Sequence, residues 1–271
     1  MHALTNTYFN AIQLPTIFSK AAIISLIFSI TGCASLAPHP IAMSIEKDMV
    51  LIQGGAFDMG SNSDDAHRSE TPAREVTVDG FYLSKFEVTQ ELFESVMGPS
   101  YSYFPDPNIP VNNLSWQQAN YFIKKLNELT NEQYRLPTEA EWEFAAQGGT
   151  LSQHYAYSGS NNIDDVAWYA SNSSNQAHPV GLKQPNELGL FDMTGNVGEF
   201  VSDAFDDSFY RYAPNHNPSN SQHSDIGLMH KSVRGGNFAY DASDSKNYRR
   251  DFASQSITMS DMGLRLARNV N

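Results

Sequence analysis

The chain has 271 residues, of which 41% are hydrophobic and 17% are charged, and its formal net charge at pH 7 is -13. This length suits one large domain or two small ones. A strongly acidic surface repels nucleic-acid backbones, so the composition argues against a nucleic-acid partner. The same acidity is compatible with bound calcium, which prefers oxygen ligands.

The first segment of the chain is typical of a targeting sequence. Lys20 precedes an apolar run over residues 21–30, which is shorter than the about 20 residues that a permanent membrane-spanning helix needs. Residues 30–33, Ile-Thr-Gly-Cys, resemble the lipobox of bacterial lipoproteins, in which the cysteine receives the lipid. An ordinary secretory signal with an incidental Cys33 is the alternative.

The lipobox interpretation sets the predicted organisation of the chain. Residues 1–32 are predicted to be a lipoprotein signal peptide, and residues 33–48 a tether lipidated at Cys33. We find no internal repeat after this point and predict one domain over residues 49–271. Such a protein would be anchored in the cell envelope through its N-terminal lipid, on the periplasmic face of the outer membrane in a Gram-negative organism.

The predicted strands are short, and three helices carry clear capping residues. Strands are expected at Met49–Ile52, at 76–78 with 81–83, and at 263–267. The helices are expected over residues 90–97 after Thr89, 116–129 after Ser115, and 139–147 after Thr138. From Gly148 to the end, Gly, Asn, Ser and Asp dominate, which predicts a largely irregular second half with little regular secondary structure.

Several long motifs together resemble one protein family, the sulfatase-modifying-factor domain of formylglycine-generating enzymes. The motifs are MVLIQGGAFDMGS (49–61), VTVDGFYLSKFEVTQELFESVM (76–97), PVNNLSWQQANYFIKKLN (110–127), YRLPTEAEWEFAAQGG (134–149), HPVGLKQPNELGLFDMTGNVGEF (178–200), VRGGNF (233–238) and GLRLAR (263–268). The resemblance implies a single α+β domain related to the C-type lectin-like fold. Within these motifs, Trp142 and Phe144 are expected in the core, and Arg135 in an ion pair with a carboxylate.

The resemblance also implies a calcium site in the segment FDMTGNVGEF. The matching positions are the side chains of Asp192 and Glu199 and the carbonyl groups of Gly195 and Val197. The family usually has Asn where this chain has Asp192, and Asp retains an oxygen ligand. The alternative is that Glu199 and Asn196 only bridge strands or cap loops.

The family's reactive centre is a pair of cysteines after the RGG motif, which bind copper and the substrate thiol. Counted without gaps, these positions fall on Tyr240 and Ser245, and the only cysteine of the chain is Cys33. A hydroxyl group cannot replace a thiolate as a Cu(I) ligand or exchange with a thiol. We therefore predict no catalytic residue and no bound copper in this chain.

The leading hypothesis is a membrane-anchored accessory or binding protein whose partner is an envelope protein or a peptide. The substrate cleft of the enzymes would remain as a recognition surface lined by Trp168, Tyr169, Tyr240, Asn247, Arg249 and Arg250. Two alternatives stay open: a formylglycine-generating oxidase or divergent metal-dependent oxygenase of the same family, and a glycan-binding module.

Overall fold

The computed structural model describes residues 37–220 and 230–270. The predicted signal peptide and Cys33 lie outside the described residues. Over the part that is described, every helix is too short or too polar to cross a membrane.

The compact unit begins at Pro38, earlier than the predicted domain start at Met49. Helix α1 (Pro40–Glu46) lies in the segment predicted as a tether, and it buries Ala42 and Ile45. The Tyr134 hydroxyl donates a hydrogen bond to Glu46 over 2.9 Å. The second part of the predicted tether, residues 38–48, is therefore folded onto the domain, because its apolar side chains find a surface to cover.

Within the described residues, three small sheets form the β part of the fold. The first is antiparallel, with β4 (Phe81–Ser84) between β1 (Met49–Ile52) and β9 (Ala267–Asn269). The second is a hairpin of β2 (Gly55–Met59) and β3 (Arg74–Val78). The third has the order β7-β6-β5-β8, formed by β5 (Gly198–Ala204), β6 (His230–Arg234), β7 (Asp251–Ser254) and β8 (Met262–Leu264).

The strand predicted over residues 263–267 is divided in the structure. Its first part belongs to β8, which pairs in parallel with β5, and its last residue belongs to β9 in another sheet. Arg265 lies between the two, fully buried, and its guanidinium donates to Glu199 and to the Ser84 and Phe191 carbonyls. The chain changes sheets where this side chain turns inward.

The three predicted helices are confirmed, and their caps form as expected. They are α2 (Gln90–Met97), α3 (Trp116–Thr130) and α4 (Glu139–Ala146), and a further short helix, α5 (Ile163–Val166), follows. The Thr89 hydroxyl accepts from the Leu92 amide, whereas Ser115 and Thr138 each form a reciprocal capping box. Arg135 forms the expected ion pair, with both guanidinium ends 2.7 Å from Glu141 oxygens.

Helix α4 is buried on all sides and carries both apolar and charged groups into the interior. Trp142 and Phe144 are fully buried in one core cluster with residues of β2, β3 and β4, as predicted. Glu139 and Glu143 are equally buried. Their carboxylates therefore require partners inside the protein, since an isolated buried charge is very costly.

Arg234 of β6 and Arg250, which directly precedes β7, supply these partners. Arg250 makes a two-pronged contact with Glu139 at 2.7 and 2.8 Å. Arg234 donates to Glu143 over 2.8 Å and to Glu139 over 3.3 Å. The network fastens α4 to β6 and to the start of β7, and it positions the loop between those two strands.

Removing one member of this network should be strongly destabilising. We expect Arg250→Ala to lower the free energy of unfolding by about 3–5 kcal/mol, because Glu139 loses its main partner while remaining buried. Lys124→Ala is the control, since Lys124 lies in an exposed pair with Glu128 and should change the value by less than about 0.5 kcal/mol. Urea denaturation of both variants measures the difference, and equal small losses would contradict the account.

The same region should make stability depend on pH. Burial raises the pKa of Asp203 to about 6, because its charged form is poorly solvated and Glu139 is near. The folded state then holds a proton that the unfolded state has lost, so the contribution of Asp203 to stability is fully present only below its unfolded pKa and is lost as pH rises through the folded pKa. We expect a decrease on the order of 1–3 kcal/mol between pH 5 and pH 8.

Denaturation at several pH values in the presence of a chelator measures this slope. Asp203→Asn should make the slope less steep, whereas Asp207→Asn, at an exposed carboxylate, should leave it unchanged. Stability that rises across this pH window would contradict the burial argument.

Candidate functional site

A cleft of about 390 Å³ lies beside the loop that joins β6 to β7. The side chains that give it its character are aromatic or acidic, and the clearest are Phe205, Tyr240, Asp244, Asp251 and Phe252. Phe205 and Phe252 are in contact, with ring centroids 4.7 Å apart. The cleft thus combines an apolar wall with carboxylates.

Tyr240, at the first of the two cysteine positions, lines this cleft. Its hydroxyl donates to Asp251 Oδ2 over 2.5 Å. Burial raises the pKa of the Tyr240 hydroxyl, and the hydrogen bond to Asp251 raises it further. The phenol therefore stays protonated and hydrogen-bonded across the physiological range, which makes it a wall of the cleft rather than a nucleophile.

Ser245, at the second position, is buried beneath the loop and is absent from the lining of the cleft. Its hydroxyl donates to the Asp241 carbonyl over 3.2 Å. Gly236 has a φ of +70°, and any side chain there would collide with Ser245. Ser245 thus packs against the glycine turn, and the structure does not bring the two hydroxyl groups together in the cleft.

Arg249 and Arg250 border the cleft as predicted, but their guanidinium groups are already engaged. Arg249 donates to Glu70 over 2.8 Å and to Asp65 over 3.2 Å. Arg250 is paired with Glu139. The sequence predicted these side chains in the lining of a recognition surface, and in the structure their guanidinium groups support the loop.

The structure does not place the other three predicted cleft residues in its lining. Asn247 is buried, and its carbonyl accepts from Arg234 over 2.8 Å. Trp168 stacks on His178 with centroids 3.9 Å apart, and the Tyr169 hydroxyl donates to Asp164 over 3.1 Å. None of the three is among the residues that line the cavity.

Sequence reasoning missed Phe205, Asp244, Asp251 and Phe252. Asp251 and Phe252 begin β7, a strand of four residues whose sequence has no strong strand pattern. Phe205 comes from a different part of the chain, directly after β5. The only indication in the sequence was the position of the 251–252 pair beside the motif that contains the cysteine positions.

The predicted calcium residues lie together in one buried turn, but Glu199 is already occupied. Its carboxylate accepts from Arg265 over 2.6 Å and from the Trp142 indole over 2.8 Å. Asp192 accepts from the Gly181 amide with Oδ2, while its buried Oδ1 has no hydrogen-bond partner. A third buried carboxylate, that of Glu87, accepts from the Val197 amide over 3.1 Å.

The carboxylates of Asp192, Glu199 and Glu87 and the guanidinium of Arg265 therefore lie close together at this turn. Burial raises the pKa of Asp192 to about 6, and burial with the nearby charges of Asp192 and Glu199 raises the pKa of Glu87. The residues fit a cation in part: Asp192 offers an unpartnered oxygen, whereas both Glu199 oxygens have donors. Among residues 37–220 and 230–270, no three His, Cys, Asp or Glu side chains form a ready-made metal cluster.

Comparisons with known proteins agree with this geometry. Residues 37–270 match the family described as "Sulfatase-modifying factor enzyme 1-like domain". The chain is 36% identical over 208 residues to "Chaperone protein LppX" of Paenibacillus barcinonensis, covering 58% of this chain and 71% of that protein. It is 28% identical over 236 residues to the "Formylglycine-generating enzyme" of Mus musculus, covering 61% of this chain and 60% of the enzyme.

The solved structure of "Treponema denticola variable protein 1" has the same fold, with a TM-score of 0.72 and 28% identity. The match covers 82% of this chain and 95% of that one. The predicted α+β, formylglycine-generating-enzyme-like and C-type lectin-like fold is therefore confirmed.

Proposed function

Because this chain belongs to the sulfatase-modifying factor enzyme 1-like domain family, we propose that it binds a polypeptide in its cleft without oxidising it. The observation that carries the proposal is the replacement of both reactive cysteine positions by Tyr240 and Ser245. The Tyr240 hydroxyl is hydrogen-bonded to Asp251, and the Ser245 hydroxyl is buried under Gly236. Neither can hold Cu(I) or exchange with a client thiol.

The similarity to a chaperone protein supports a polypeptide as the ligand. A chaperone acts on other proteins, and that relative is more similar to this chain than the mouse enzyme is, at 36% against 28% identity. Under the proposal, the cleft recognises a client through contacts alone. The lipid on Cys33 would hold the protein at the envelope, where exported clients pass in an unfolded state.

The absence of catalysis can be tested directly. The full chain is incubated with a cysteine-containing sulfatase peptide, copper and oxygen, and the peptide is analysed by mass spectrometry. We expect unchanged peptide, because no thiolate of the folded domain can bind the metal.

A formylglycine-generating enzyme run in parallel shows that the assay detects turnover. Aldehyde formed by this chain would contradict the proposal and favour the oxidase. Stoichiometric copper or iron in the purified protein would favour the divergent oxygenase. Selective binding to a glycan array that a chelator abolishes would favour the glycan-binding module.

We also propose that calcium occupies the turn around Asp192. Three buried carboxylates face a single Arg265, and the unpartnered Oδ1 of Asp192 is the acceptor that a cation would use. Asp192 and the carbonyl groups of Gly195 and Val197 would hold the ion, while Glu199 stays paired with Arg265. Bound calcium would supply positive charge to this turn and stiffen it.

Calcium should then raise the temperature of unfolding relative to chelated protein. A ligand at a hundredfold excess over its dissociation constant stabilises the folded state by about 2.7 kcal/mol. We expect Asp192→Ala to abolish the calcium-dependent part of the shift, and Asp207→Asn, at an exposed carboxylate, to retain it. A thermal scan that is identical with calcium and with chelator would rule out the site.

A further inference from the structure

We propose that the cleft selects an extended, positively charged segment of its polypeptide client, which lies along β7. This inference rests on the proposed binding function and adds the chemistry of the ligand. It comes from the charge of the cleft, from its aromatic wall and from the position of β7 in its sheet.

The carboxylates of the cleft are not neutralised, although its arginines are. Arg249 forms ion pairs with Asp65 and Glu70, and Arg250 forms one with Glu139. In contrast, Asp244 and Asp251 line the cleft, and within residues 37–220 and 230–270 neither forms an ion pair with Lys, Arg or His. The net charge presented to a ligand is therefore negative, and it complements Lys or Arg side chains.

A second groove continues this character beside the cleft. The same short segments line both, since Asn237 and Tyr240 face the cleft whereas Phe238 and Ala239 face the groove. Asp261 adds to the groove another carboxylate without an ion pair in the described part of the chain. The groove is walled by Tyr103, which is 68% exposed, and by Phe104. Two adjoining depressions of this kind suit several residues of an extended chain better than one compact ligand.

The aromatic walls are suited to long cationic side chains. Phe252 is 46% exposed, a large value for a phenylalanine, and it packs on Phe205 and on His230 with centroid distances of 4.7 Å. The methylene groups of Lys or Arg can pack on such rings while the charged end reaches a carboxylate. The acidic and aromatic residues thus act on different parts of the same side chain.

The main chain of the ligand would pair with the edge strand β7. This strand is the edge of the sheet β7-β6-β5-β8, so within the described residues one of its sides pairs with no strand. Its first two residues, Asp251 and Phe252, line the cleft. An added strand would gain main-chain hydrogen bonds that do not depend on client sequence, while alternate side chains reach the acidic and aromatic groups.

Fluorescence anisotropy with the full chain tests the proposal. The probes are three labelled peptides of equal length in which Val alternates with Lys, Gln or Glu. We expect the Lys peptide to bind about tenfold more tightly than the Gln peptide, with the Glu peptide weakest, and salt to reduce the difference.

Two charge-reversal variants separate the cleft from the general acidity of the chain. Asp244→Lys should weaken binding of the Lys peptide about fivefold or more, whereas Glu75→Lys, at an exposed position on β3, should change it by less than about twofold. Equal effects of the two variants would overturn the selectivity of the cleft. Equal binding of all three peptides would overturn charge selection but leave the polypeptide-binding function, and binding of none would overturn both.

Discussion

Buried ion pairs join α4 to β6 and to Arg250, the residue before β7, and both the interior and the cleft require them. Glu139 and Glu143 are buried side chains of this helix, and within the part of the chain that the structure describes Arg234 and Arg250 are the cations that neutralise them. Because Arg250 directly precedes β7, the same contact that satisfies the interior also fixes the cleft. The charges are costly to bury, but they specify one position of the loop relative to the helix.

This support holds the loop in place without the cysteines that the family's enzymes carry there. In the family's enzymes the loop carries the reactive thiols, whereas here it carries Tyr240 and Ser245. The placement of the loop does not depend on Tyr240 or Ser245, because Arg249 forms an ion pair with Glu70 and Arg250, at the end of the loop, forms one with Glu139. A cleft whose border is held by buried ion pairs is suited to recognition, since little ordering is needed when a ligand binds.

The elements that the sequence predicts well are those set by local chemistry. Thr89, Ser115 and Thr138 cap their helices because a hydroxyl satisfies a free amide within three residues, and family motifs extend this to the whole fold. The cleft depends instead on long-range pairing. Arg249 and Arg250 were assigned to recognition because no local pattern shows that their carboxylate partners lie 111 residues or more away in sequence. Phe205 and Phe252 meet only in the folded chain.

The central claim is that the β7 side of the cleft is where a polypeptide client lies. Hydrogen–deuterium exchange of the full chain, with and without saturating Lys-rich peptide, examines this most directly. The account predicts slower exchange of main-chain amides in residues 237–240 and 251–254, with α3 unchanged. Protection confined to α3 or to the β2–β3 hairpin, with none along β7, would contradict it.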